Sequence, residues 1–169
     1  MFSKLKELFN ASNPAYINAK KILCPVEGEV VSIKEVNDPT FSEEILGIGL
    51  AVKPSVGRVV SPVDGTVALM FDTGHAVSIV ADNGAEILIH VGLDTVALKG
   101  LHYTVHCATD DKVKAGQLLI EFDIDGIKAD GYDIITPVVI CNSSDYSDVK
   151  TKTNFYAKEL DEIITLIDK

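Results

Sequence analysis

The chain has 169 residues, 47% of them hydrophobic, and carries a formal net charge of −10. That composition suits one folded domain and excludes an intrinsically disordered chain. The acidity excludes non-specific nucleic-acid binding, because the phosphate backbone would be repelled, and favours basic protein surfaces as partners.

Residues 1–13 stand apart in character. Phe2, Leu5, Leu8 and Phe9 recur at helical spacing, with Lys4, Lys6 and Glu7 between them, until Asn13-Pro14 breaks the pattern. The segment reads as a short amphipathic helix, docked on its own domain or in weak contact with a membrane. No apolar run approaches the roughly 18 residues that cross a bilayer, and the N-terminus lacks the marks of a secretion signal. A cytoplasmic protein is expected, at most peripheral to the inner face of the membrane. Cys24, Cys107 and Cys141 stand at wide, irregular spacings. They fit neither a disulfide framework nor a zinc site and read as buried, inert thiols.

Residues 14–142 read as one domain of short strands. Val- and Ile-rich runs such as Gly28–Ile33, Thr66–Phe71, Ile87–Val91, Gln117–Phe122 and Pro137–Ile140 alternate with Gly, Pro, Asp and Asn turns. This predicts an all-β sandwich or barrel. Cys24-Pro-Val-Glu-Gly-Glu-Val30 echoes Ser61-Pro-Val-Asp-Gly-Thr-Val67, which suggests a duplicated half-barrel unit. Residues 143–169 read as a polar loop and then a helix. Asn154 would cap it, and Phe155, Leu160, Ile163, Ile164 and Ile167 would face the barrel.

His75 and His90 carry the chemistry. They flank Asp82-Asn83-Gly84, a strong hairpin signal between two β-rich runs. A two-residue Asn83-Gly84 loop sets Asp82 opposite Ala85 and His75 opposite Gly92. His90 then shares a sheet face with His75, and the two imidazoles become diagonal neighbours. A one-residue bulge would break this parity.

A neutral imidazole is a good nucleophile near pH 7 and can carry a phosphoryl group on nitrogen. Phosphoryl transfer asks mainly for positioning and charge stabilisation. One histidine would be phosphorylated while the other donates a hydrogen bond to a phosphoryl oxygen. Thr73, two residues from His75, is placed to fix a histidine tautomer. Gly74 and Gly92 remove side chains beside the pair, which would admit a partner's backbone. Phe41, Ile45, Phe71, Leu88 and Val96 are candidates for a dry docking rim that slows hydrolysis. Asp38 and Asp94 make sense near a phosphoryl group when a partner brings arginines.

Gly74-His75-Ala-Val-Ser-Ile79, followed by Ile87-Leu-Ile-His90-Val-Gly-Leu-Asp94-Thr-Val96, resembles the signature of glucose-type enzyme IIA. That family comprises phosphocarriers of the bacterial phosphoenolpyruvate-dependent sugar phosphotransferase system. Pro25–Val30, Val60–Thr66, Val113–Leu118 and Thr136–Ile140 match it as well, so the resemblance runs from about Ile22 to Asn142. It implies a β-sandwich of duplicated half-barrels. It implies that His90 accepts a phosphoryl group from the small histidine phosphocarrier protein and passes it to a cysteine of a sugar-permease enzyme IIB domain. By the same resemblance His75 assists at the phosphoryl group, Thr73 supports the pair, and Asp38 and Asp94 meet partner arginines. Regulatory partners would read the phosphorylation state. No cofactor is required, although some members share a zinc ion between the paired histidines and a partner's carboxylate. The helix read after Asn142 departs from the strand-rich end of the family.

Three other readings compete. Val113-Lys-Ala-Gly-Gln-Leu-Leu119 resembles part of biotinyl and lipoyl swinging-arm domains, with Lys112 as a poor version of the modified lysine. A zinc hydrolase on a related barrel needs three protein ligands, and His102 and His106 do not complete them. A regulatory binding module without transfer would not need the intact pair.

Overall fold

Residues 19–169 are described by the computed structural model. The amphipathic segment predicted over residues 1–13 lies outside the described residues. Within the described residues the Val- and Ile-rich runs form fourteen strands: β1 (Lys20–Leu23), β2 (Gly28–Ser32), β3 (Ile48–Pro54), β4 (Arg58–Val60), β5 (Gly65–Met70), β6 (Ala76–Ala81) and β7 (Glu86–His90), then β8 (Tyr103–Val105), β9 (Lys112–Val113), β10 (Leu118–Phe122), β11 (Thr136–Ile140), β12 (Tyr146–Thr151), β13 (Phe155–Ala157) and β14 (Glu162–Asp168). The two α-helices among these residues are short, α1 (Pro39–Ser42) and α2 (Ile124–Ala129). None of the described helices is long and apolar enough to cross a membrane.

One sheet has eight strands in the order β13-β2-β3-β11-β7-β6-β5-β9, and two three-stranded sheets, β1-β14-β12 and β4-β10-β8, accompany it. The main core draws Ile22, Leu50, Ile79, Ile87, Leu119 and Leu166 from all three sheets, each fully buried. Alternation explains it: on β7, Ile87 and Ile89 face this core while Leu88 and His90 take the opposite side. That opposite side is covered by a second, smaller core around Ile33, Phe41, Leu93 and Val139, with Leu88 packed against it. His90 therefore ends a central strand over a packed floor.

The internal echo has a structural counterpart. Both Pro-Val-acid-Gly copies connect a short strand to a strand of the large sheet, β1 to β2 and β4 to β5. Cys24 Sγ donates to the Val26 carbonyl as Ser61 Oγ donates to that of Val63. The copies also bind each other reciprocally. Leu23 N–H donates to the Pro62 carbonyl at 3.2 Å, and its equivalent, Val60 N–H, to the Pro25 carbonyl at 2.8 Å.

Two expectations are corrected. The helix predicted after Asn154 is absent; the segment forms β13 and β14. Asn154 and Leu160 have φ of 65° and 71°, turn conformations rather than helix start and body. Ile163, Ile164, Thr165 and Ile167 are β-branched, and β14 pairs with β1 on one side and β12 on the other. The spacing of its apolar residues fits either period, and the two waiting edges select the strand. The thiols also differ from expectation: Cys24 is buried, but Cys107 is half-buried and Cys141 exposed. Burial pushes the Cys24 thiol up to about 11.

Candidate functional site

The β6–β7 hairpin positions both histidines, in a register one residue from the predicted one. Asp82-Asn83-Gly84 forms a three-residue loop, closed by Gly84 N–H to the Ala81 carbonyl and Ala81 N–H to the Ala85 carbonyl. Gly84 sits at φ 96°, as the third residue of such a loop often does. His90 therefore faces Ala76 in the ladder, and His75 meets Val91 through a Val91 N–H bond to its carbonyl at 2.6 Å. Strict alternation in this register would assign His75 to the inner face. But His75 precedes the first residue of β6, just after the Gly74 turn at φ 71°, where the ladder no longer sets side-chain direction. The imidazoles meet there, with ring centroids 5.1 Å apart at 78°.

Each ring is held on its Nδ1 side. His90 Nδ1–H donates to the Gly92 carbonyl at 2.7 Å. A carbonyl only accepts, so the neutral ring carries its lone pair on Nε2. His75 Nδ1 is in hydrogen-bond contact with Thr73 Oγ1. Phe41 lies 5.3 Å from His90 and Phe71 5.2 Å from His75, centroid to centroid, so apolar rings flank the pair.

Burial favours the neutral form of both imidazoles. His75 is 4% exposed, and desolvation, helped by the neighbouring His90, lowers its pKa to about 4. Desolvation also lowers the His90 pKa, opposed by the Gly92 carbonyl, Asp38 and Asp94. A stability effect follows. The unfolded His75 protonates near 6.5 and the folded one near 4, so between those values only the unfolded chain holds the proton. Stability is full above about 6.5 and is lost as pH falls toward 4. In urea titrations the wild type should lose on the order of 2 kcal/mol more than His75→Gln between pH 7.5 and 5. Equal losses would show that His75 titrates normally in the fold.

The remaining predicted residues differ in burial and in their contact with the pair. Asp38 caps α1 through Thr40 N–H at 3.0 Å, and Asp94 opens a 3-10 turn at φ 58°; both carboxylates act electrostatically on His90. Ile45 is 66% and Val96 55% exposed. Phe71 and Leu88 are half-buried. Phe41 is only 4% exposed and belongs to the floor beneath His90. Gly74 and Gly92 make room for this chain's own residues. A Cβ at Gly74 would lie 2.9 Å from Tyr103 Cβ, and one at Gly92 would lie 2.5 Å from Thr95 Cγ2.

Sequence reading missed Tyr103 and Thr95, both of which donate to the Val91 carbonyl at 2.7 Å. Tyr103 carries no local signal, since it acts from another strand, whereas Thr95 acts on a carbonyl four residues back, a local hydroxyl-to-backbone contact that could have been weighed. His102 and His106 stand elsewhere, paired with Asp130 and Glu121 at 2.7 Å each. Among the described residues no three or more His, Cys, Asp or Glu side chains gather as a metal site. Lys112 lies within β9, opposite Thr66, rather than at a hairpin tip.

The phosphoenolpyruvate-dependent sugar phosphotransferase system EIIA 1 family matches residues 20–146. The chain is 45% identical over 139 residues to a PTS system beta-glucoside-specific EIIBCA component from Dickeya chrysanthemi, covering 82% of this chain and 22% of that protein. It thus spans about a fifth of the length of such relatives. It is 46% identical over 129 residues to a PTS system glucose-specific EIIA component from Oceanobacillus iheyensis, covering 76% and 78%. The structure matches glucose permease IIA from Mycoplasma capricolum with a TM-score of 0.80 and 30% identity, over 88% and 96% of the two chains.

Proposed function

Because the chain belongs to the EIIA 1 family of the phosphoenolpyruvate-dependent sugar phosphotransferase system, we propose that it is a phosphocarrier whose His90 takes up and hands on a phosphoryl group. The observation that carries the reading is the state of the two rings. His90 is fixed through Nδ1 on the Gly92 carbonyl, which leaves Nε2 as the lone-pair nitrogen of the neutral ring, beside a second imidazole 5.1 Å away.

The donor is a phosphohistidine of the small histidine phosphocarrier protein. Its N–P bond breaks as the His90 Nε2–P bond forms, and the donor imidazole keeps the released electron pair. No proton need leave His90, because Nδ1–H stays on the Gly92 carbonyl. Thr73 donates to His75 Nδ1, which leaves His75 Nε2–H to donate to a phosphoryl oxygen. In the second step a cysteine thiolate of an enzyme IIB domain attacks phosphorus and His90 departs. Relatives that carry EIIA together with EIIB and EIIC in one chain support an EIIB-type acceptor. Ile45 and Val96 exclude water at the joint, and Asp38 and Asp94 take arginines from the partner. The chain is rephosphorylated each cycle, so it is a stoichiometric relay.

The same pair fits half of a zinc site. Two imidazoles supply two of four tetrahedral ligands, and a partner's carboxylate and a water would complete them. His75 would then take its other tautomer, donating from Nδ1 to Thr73.

The test is phosphate mapping. The protein, incubated with phosphoenolpyruvate and the general phosphocarriers, should gain one acid-labile phosphate on His90, assigned to Nε2 by phosphorus–nitrogen NMR. Stable label on another residue, or none, would overturn the proposal.

A further inference from the structure

The segments bearing the two histidines are joined by one side chain from outside the hairpin. Tyr103 opens β8, whose pairing with β10 sets it opposite Phe122. The root of this strand is fixed, since the preceding His102 carbonyl accepts from Asp123 N–H at 2.9 Å. From there the Tyr103 side chain reaches both halves of the site. Its Cβ borders the space that a side chain at Gly74 would need, immediately before His75. Its hydroxyl donates to the Val91 carbonyl at 2.7 Å, immediately after His90.

What lies downstream of that carbonyl matters for His90. Val91 N–H donates to the His75 carbonyl at 2.6 Å, so the residue between the histidine segments is bound on both its polar groups. The next peptide presents the Gly92 carbonyl to His90 Nδ1, while its Leu93 N–H donates to the Asp133 carbonyl at 2.9 Å. Gly92 itself, at φ 87°, has no side chain to limit its rotation. The Gly92 carbonyl is therefore aimed by what holds the peptides on either side. Asp133 holds one; Thr95 and Tyr103 hold the other.

We propose that Tyr103 is a positioning residue for the histidine pair: its hydroxyl fixes the Val91 carbonyl, and so aims the Gly92 carbonyl that sets the His90 tautomer. The consequence for transfer rests on the phosphocarrier reading above; the effect on the tautomer does not. Thr95 still donates to Val91 when the hydroxyl is removed, so the carbonyl is not orphaned and the fold survives. What is lost is one of two constraints on its direction.

The test is Tyr103→Phe, which keeps the ring beside Gly74 and removes only the donor. In long-range nitrogen–proton NMR at pH 7.5, wild-type His90 should show a protonated Nδ1 and an unprotonated Nε2. In the variant the two nitrogen shifts should move toward each other, as the tautomers mix. Phosphoryl uptake should slow by about three- to tenfold in kcat, with KM for the phosphorylated donor within about twofold of wild type. Unchanged His90 shifts would overturn the proposal, whether or not uptake slows. A rise in KM at constant kcat would overturn it too, by making Tyr103 a docking contact. If the wild type takes up no phosphate, the phosphocarrier reading fails, and the nitrogen shifts still decide the role of Tyr103.

Discussion

His90→Gln is expected to reduce phosphoryl uptake at least about 10³-fold, to the background of the labelling assay. The nucleophile in this reading is a single nitrogen, and nothing else in the site can replace it. His75 is buried at 4% exposure and turns its Nδ1 to Thr73. Burial shifts the Cys24 thiol up, and partial desolvation with the nearby Asp111 and Glu86 carboxylates shifts those of Cys107 and Cys141 up, which favours the protonated form of each. Glutamine is neutral, fits the same space and can donate to the Gly92 carbonyl, so the change should spare the fold. Unchanged circular dichroism and melting would confirm that the loss is chemical. His75→Gln makes the contrast. An amide still offers one donor to the phosphoryl group, so uptake should persist. Onward transfer to an enzyme IIB cysteine should fall about 100-fold, because an amide cannot strengthen its donation as His90 departs. Normal labelling of the His90 variant would end the assignment.

Gly92→Ala is expected to cost about 3 kcal/mol of stability and to impair uptake as well. Two causes add. The φ of 87° is left-handed, which costs an L-residue roughly 1–2 kcal/mol. The added Cβ would stand 2.5 Å from Thr95 Cγ2 and 2.9 Å from the Asp133 carbonyl oxygen, so the backbone must shift at a cost of about 1–3 kcal/mol. That shift moves the carbonyl that orients His90. Gly84→Ala separates the causes. Gly84 has φ 96°, but nothing lies within 4 Å of its added Cβ. It should lose only the conformational part, about 1 kcal/mol, and keep full uptake. Urea unfolding of both variants beside the labelling assay would decide; equal losses would remove the packing argument.

The strand-rich character of residues 22–140, the turns within it and the two histidines were legible because each is a local property. Val and Ile runs broken by Gly, Pro and Asn specify strands by backbone preference and burial, whatever they later pair with. His75, His90 and Thr73 lie close in sequence, so the hairpin brought their segments together, but the shared face came from the Gly74 turn just before β6 rather than from the predicted ladder. The Gly84 turn shows the limit of that reasoning. Asn83-Gly84 announces a hairpin, but a three-residue loop and a two-residue loop share those residues and differ by one register step.

Tertiary structure decided what depends on distant partners. The run from Phe155 to Ile167 accommodates both a helical and a strand period, and it became β13 and β14 because β2, β1 and β12 offer edges to pair with. Gly74 and Gly92 read as openings for a visitor; Tyr103 and Thr95 fill them from within. The tautomer of His90 depends on a carbonyl whose aim comes from side chains in separate segments. Residue identity set which chemistry this chain can perform, because a nitrogen nucleophile is a property of one side chain. Which nitrogen is free, and in which direction it points, emerged only when distant parts of the chain closed around it, because hydrogen-bond direction is set by the atoms on both sides.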